Sequence, residues 1–211
     1  MKNLFGYFLF TFTSLFTIVN PFSALPMYLS LTEGMSTPQA IRFAKRASLT
    51  AFAAMIGFAL GGSFLFNFFS VSTNSLRVVG GILFFITGYD MLLAKPGRIK
   101  ASDDEDLNQR DEYAISPLAI PMICGPGAIT IVLVSLEDAG TFAKKSILFL
   151  AIFLVAVLTY LFLLGAKKIT HFIGPNGTKV FLRLMGLVIM MIAVEFFFAG
   201  ISPFIQKIIH I

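Results

Sequence analysis

Long stretches of this chain carry no charge. Thirty consecutive residues from Asn3 to Thr32 are uncharged, and thirty more from Ala47 to Leu76. Tyr113–Leu136 adds 24, Ser146–Ala166 adds 21, and Leu184–Gln206 covers 23 with Glu195 as its lone interruption. Val78–Ala94 is shorter, 17 residues that include Asp90. Crossing the hydrocarbon takes roughly 20 apolar residues in a helix, so six segments qualify, at 4–31, 47–69, 76–94, 114–136, 146–166 and 181–205. The runs are continuously apolar rather than alternating, which excludes membrane β-strands. Lipid cannot satisfy backbone polar groups, so such runs close their hydrogen bonds as helices. The expected class is therefore all-α: a polytopic membrane protein forming one membrane domain over 1–211. Charged residues make up 13% of the chain, about half the share in a soluble domain.

The remaining composition narrows the function. The first apolar stretch is too long for a signal-peptide core, and Asn20-Pro21 interrupts it where cleavage would fall, so it reads as a retained first span. Cys124 is the sole cysteine, which excludes an intrachain disulfide and leaves a zinc site without partners. No metal or other cofactor is expected. The net charge of +5 sits between the spans and calls for no nucleic-acid partner; the surrounding partner is membrane lipid. Eleven of the sixteen basic residues fall in the first, third and fifth loops or, as Arg183, beside them, against five on the other side. The positive-inside rule puts those loops in the cytoplasm and both termini outside, in the plasma (inner) membrane of a bacterial-type cell. Ser36-Thr37-Pro38-Gln39 reads as a capping box with an early proline, so span two should begin as a basic helix before entering the membrane. The acidic cluster at Asp103, Asp104, Glu105 and Asp106, with Asp111 and Glu112, lacks the alternation and turn glycine of a calcium loop and reads as a solvated loop.

The chain also resembles itself at half its length. Asn20-Pro21 matches Gly125-Pro126 at an offset of 105, and Leu76-Arg77-Val78-Val79-Gly80 matches Leu182-Arg183-Leu184-Met185-Gly186 at 106. Asp90 follows Arg77 much as Glu195 follows Arg183, and Lys45-Arg46 precedes span two as Lys144-Lys145 precedes span five. The order suggests two three-helix repeats, 1–94 and 114–211, joined by a cytoplasmic linker over 95–113. An odd number of spans per repeat inverts one against the other, an arrangement typical of secondary transporters, although duplication alone would leave the same trace.

Pro21, Pro26, Pro117, Pro121 and Pro126 lie in spans one and four. Proline removes a backbone donor and collides with the preceding turn, so span one should unwind between Asn20 and Pro26, and span four near Cys124-Gly125-Pro126-Gly127. Unwound backbone at membrane depth must face protein or a water-filled cavity. Each second half-helix then presents free N–H groups and the positive end of a dipole, with Asn20 as N-cap and Pro21 at the first helical position. That geometry suits a carboxylate. Asn20, Pro21, Ser23, Gly125, Pro126, Gly127 and Thr130 are the expected substrate-binding residues, though kinks that only shape packing would read alike. Thr13, Thr17 and Asn20 share one face of span one, as Gly80, Leu83, Thr87 and Asp90 do in span three. Thr13, Thr17 and Thr87 are pathway candidates; their hydroxyls would otherwise bond back to their own helices. Asp90 and Glu195 are the acids inside spans, functional candidates by default, able to meet a substrate ammonium or carry a coupling proton. Asp90 lies near Lys95 and could also reach the interface, whereas Glu195 lies deeper. Arg77 and Arg183 open their helices and either snorkel or pair with an acid across a gate. Gly57-x-x-x-Gly61 would permit close helix contact.

The stretches Asn20–Pro26, Gly81–Leu92, Pro117–Pro121, Gly125–Thr130 and Arg183–Leu187, met in that order, resemble the MarC family of bacterial inner-membrane proteins, which is grouped with six-span neutral amino acid transporters. The resemblance implies six spans and a plasma-membrane location, and in some members the transport of small neutral amino acids such as glycine and alanine. Glu195 departs from the uncharged amide that many members carry there. The expected function is a secondary transporter of a small neutral amino acid or similar zwitterion, a small polar solute, with a proton or a sodium ion as coupling ion. A non-transporting scaffold is the main alternative, and a channel a further one. An intramembrane enzyme is not expected, because the spans hold no histidine, metal-ligand cluster or serine–lysine pair, and no catalytic residue is assigned.

Overall fold

The computed structural model describes residues 2–69, 72–93 and 114–209. All of its regular elements are helical: α1 (Lys2–Val19), α2 (Pro21–Leu31), α3 (Thr37–Phe69), α4 (Thr73–Leu92), α5 (Ala114–Ile123), α6 (Pro126–Ala139), α7 (Phe142–Leu164) and α8 (Ala166–Ile209). Among the described residues, five stretches are long and apolar enough to cross a membrane: Leu4–Leu31, Thr37–Gly62, Thr73–Leu92, Phe142–Leu164 and Asn176–Gln206. The sixth expected segment, 114–136, does not count as one continuous helix. It is divided into α5 and α6, each too short to span alone. The expected linker and its acidic cluster lie outside the described residues.

Both interruptions arise from the same local cause. A residue before proline is crowded out of the right-handed helical region. Asn20, before Pro21, adopts φ 41°, ψ 75° and is the one non-glycine residue with positive φ among the described residues. Asparagine tolerates that region better than most side chains. Gly125, before Pro126, is extended at φ −83°, ψ 176°. The expected unwinding from Asn20 to Pro26 shrinks to a single residue, because Pro21 takes the first position of α2, where a missing N–H costs nothing, and Pro26 is accommodated inside the helix. The first part of span four is wound differently: α5 is a π-helix, and the Cys124 N–H bonds to the Ala119 carbonyl at 2.8 Å, five residues back. Wider helices of this kind are rare and concentrate at functional sites.

The other ends follow their sequence signals. At the start of α3, the Ser36 N–H and hydroxyl both donate to Gln39 Oε1, at 2.9 and 2.8 Å, and the Tyr28 hydroxyl ties α2 to α3 through the Ala40 carbonyl at 3.1 Å. The helix α8 is longer than the expected 181–205 and bends at Gly174, whose φ is 70°.

Tertiary packing centres on α4 and α8, which run antiparallel in close contact. A Cβ added to Gly200 would lie 2.6 Å from the Asn74 carbonyl, one on Gly81 2.8 Å from the Ala193 carbonyl, and one on Gly88 2.7 Å from the Gly186 carbonyl. With little hydrophobic force between helices in lipid, small residues that allow backbone approach decide the contact. Gly57 and Gly61, by contrast, face open space, so the expected close contact of that motif does not form within the chain. Outer faces of α4 and α8 expose Val79, Ile82, Phe85 and Ile86, and Leu187, Met191, Val194 and Phe198. An apolar exterior of this extent suits lipid rather than water.

Candidate functional site at two helix breaks

The two interruptions lie side by side. Gly127, in the first turn of α6, packs against Ile18, two residues before Asn20: a Cβ there would meet Ile18 Cγ2 at 2.7 Å and Phe84 Cε1 at 2.9 Å. The Tyr7 hydroxyl donates to the Ser135 carbonyl at 2.6 Å, so α1 and α6 run antiparallel. Contacts from Arg77 to Asp138 and from Phe84 to Gly127 set α4 antiparallel to α6 as well. Lys144 lies over the Tyr7 ring and Phe162 beside Phe16, which makes α7 parallel to α1.

Asn20 is 4% exposed, and its backbone is fully engaged. Its N–H donates to the Phe16 carbonyl at 2.9 Å, and its carbonyl accepts from the Ser23 N–H at 2.9 Å and the Ser23 hydroxyl at 2.8 Å. The side chain does not cap α2, contrary to expectation: the left-handed backbone carries the amide away from the helix start. Instead Nδ2 approaches the Met91 thioether at 3.8 Å, a weak acceptor for a buried amide. At the other break Gly125 has no side chain to cap α6. Pro126 lacks an N–H and the Ile129 N–H bonds to the Gly125 carbonyl at 3.1 Å, which leaves the Gly127 and Ala128 donors uncapped by any side chain. Thr130 is buried, and its hydroxyl bonds back to the Pro126 carbonyl at 2.9 Å. The uncapped start of α6 thus lies near a buried primary amide, a combination that favours a small anionic group beside a hydrogen-bonding one.

Of the expected binding residues, Asn20 and Pro21 are buried, Ser23, Gly125 and Gly127 half-buried, Thr130 buried and Pro126 exposed, and the Ile18–Gly127 contact brings the two sets together. The pathway and coupling candidates are less enclosed than Asn20. Thr13 is exposed and bonds back to the Leu9 carbonyl at 2.6 Å; Thr87 is exposed and bonds back to the Leu83 carbonyl at 2.8 Å; Thr17 is half-buried. Asp90 and Glu195 are both exposed; Glu195 lies on the face of α8 opposite the one packed on α4. The interior face of α1 carries Tyr7, Thr11 and Ser14 instead. Their i, i+4, i+7 spacing was as visible as that of Thr13, Thr17 and Asn20. Nothing local distinguishes the two faces. Asp138 and Met91 were likewise unforeseen, since their partners Arg77 and Asn20 are 61 and 71 residues away.

Helices with apolar outer faces, five of them long enough to span, define an integral multi-pass membrane protein. The chain belongs to the MarC family of integral membrane proteins, whose model matches residues 5–205. It is 36% identical over 196 residues to a UPF0056 membrane protein of Methanocaldococcus jannaschii, covering 92% of this chain and 96% of the relative. Against one from Pyrococcus horikoshii it is 36% identical over 195 residues, covering 92% and 94%. The UPF0056 membrane protein YvbG of Bacillus subtilis is 29% identical over 202 residues, covering 94% and 96%. No solved structure matches the chain.

Proposed function

We propose that the chain is a secondary transporter of a small neutral amino acid or similar zwitterion, built as six spans in two inverted repeats, with α5 and α6 together forming the fourth span. The observation that carries this reading is the juxtaposition of two pre-proline helix breaks from opposite halves of the chain. Packing partners support the repeat, because most of them pair off when the halves are exchanged. The contact of α1 with α7 corresponds to that of α5 with α3, α4 with α6 to α8 with α2, and α3 with α6 to α7 with α2, while α4–α8 and α3–α7 map onto themselves. The antiparallel course of α4 and α8 is what inversion requires. Interrupted helices at matching positions are the usual seat of substrate in such folds.

In this reading the amide of Asn20 and the uncapped N–H groups of α6 hold the solute, the latter its carboxylate. The protein sits in the plasma membrane with both termini outside and performs no covalent chemistry. Asp90 and Glu195, facing outward, serve proton coupling only if protein or water covers them in the membrane; sodium as coupling ion would make them dispensable. Proteoliposomes containing the protein should take up labelled glycine or alanine saturably under a proton or sodium gradient. Linear, non-saturating flux would mark a channel. No flux with any amino acid under either gradient would remove transport and favour a scaffold.

A further inference from the structure

The end of the bundle nearest Tyr7 is held shut by contacts among four helices. Arg77 on α4 donates to both carboxylate oxygens of Asp138 on α6, at 2.7 and 2.5 Å. Tyr7 on α1 bonds the Ser135 carbonyl, and Lys144 on α7 lies 5.5 Å from the Tyr7 ring centroid. One turn inward, Thr11 is 0% exposed, its hydroxyl beside that of Tyr7. Other helical threonines, such as Thr13, Thr130 and Thr159, bond back to the carbonyl four residues earlier. The arginine and the aspartate are 23% and 45% exposed, so both ends can rehydrate and the pair can open at modest cost.

The offsets that relate the halves carry this pair to the opposite end. Arg77 corresponds to Arg183 at 106, and Asp138 to Glu33 at 105. Glu33 lies just beyond α2, and α2 packs on α8 in a different register from α6 on α4: Phe22 at the start of α2 meets Phe181, which leaves Arg183 at the far end of α2 from Glu33. Arg183 is exposed and makes no hydrogen bond or ion pair among the described residues, while Glu33 is engaged elsewhere. We propose that Arg77–Asp138 and Arg183–Glu33 are alternative latches at opposite ends of the helix-break region, the first shut in this structure and the second undone. The proposal rests on the inverted-repeat transporter reading above, and it gives that reading two states in which each end closes in turn.

The test needs no solute, so its outcome is separable from that of the uptake experiment. Full-length protein in detergent carries Thr11→Cys as reporter with Cys124→Ala as background, and the rate of reaction with a water-soluble maleimide is followed. With both latches intact the reporter should react slowly. Asp138→Asn should speed it about fivefold, the scale of a surface-edge ion pair. Arg183→Gln alone should slow it, by destabilising the competing state, and the double variant should return toward the starting rate. Charge reversal, Arg77→Asp with Asp138→Arg, should restore protection. A reporter that reacts freely with both latches intact overturns the proposal. So does an Asp138→Asn acceleration that Arg183→Gln fails to lower, since a purely structural ion pair would be blind to Arg183.

Discussion

Leucine in place of Gly88 or Gly186 should leave no folded protein. A Cβ on Gly186 would lie 2.6 Å from the Gly88 carbonyl oxygen and 2.9 Å from the Leu92 nitrogen, and one on Gly88 2.7 Å from the Gly186 carbonyl. The obstructing atoms are backbone, so no rotamer change relieves the clash and the helices must part. Even alanine should cost about 1–3 kcal/mol at either position, the usual range for overpacking. For a chain of this length that corresponds to a fall of about 2–4 °C in Tm per kcal/mol. Alanine at Gly57 or Gly61 meets nothing within 4 Å and should be neutral or stabilising by up to about 1 kcal/mol through helix propensity. The protein has no tryptophan, but its one cysteine, Cys124, is 1% exposed. A dye that fluoresces on reacting with a thiol therefore reports unfolding directly. Equal tolerance of alanine at Gly186 and Gly57 would show that the α4–α8 approach is not as close as described.

Replacing Asn20 should separate backbone from ligand. Glycine accepts positive φ without strain, so Asn20→Gly should keep the break and unfold within about 1 kcal/mol of the wild-type stability. It removes the amide, however. If that group holds solute, loss of its hydrogen bonds in a buried site should weaken binding about tenfold to hundredfold. Glycine or alanine in excess, binding the native state alone, raises the unfolding temperature of the unaltered protein, and that rise should vanish in Asn20→Gly. Asn20→Asp retains the tolerance for the left-handed region but sets a carboxylate beside the one held at α6, so binding should be lost there too. Asn20→Val should fail differently: a β-branched residue at positive φ is strained by roughly 1–2 kcal/mol, and the protein itself becomes less stable. An Asn20→Gly protein that responds to solute like the unaltered one would reduce Asn20 to a backbone device and move the site to α6 alone.

Sequence by itself determined where the chain is helical, where it is apolar enough for lipid, and where two helices break. These are local properties. A charge-free run must satisfy its own backbone, and a residue before proline is biased out of the helical region, most readily where it is Asn or Gly. That is why Asn20 and Gly125 were legible, and why the extent of unwinding, which depends on how α2 packs around Pro26, was misjudged. Only the tertiary structure decided which faces turn inward. In a soluble helix an apolar stripe marks the core, but these spans are apolar all round. Thr11 and Thr13, or Ser14 and Thr17, cannot then be ranked by periodicity, and nothing local shows that Glu195 lies on the outward face of α8. Facing was set by backbone approach at Gly81, Gly88, Gly186 and Gly200, and by pairs such as Arg77–Asp138 that are distant in the chain. Such contacts depend on how whole helices fit together, and no short stretch of sequence carries that information.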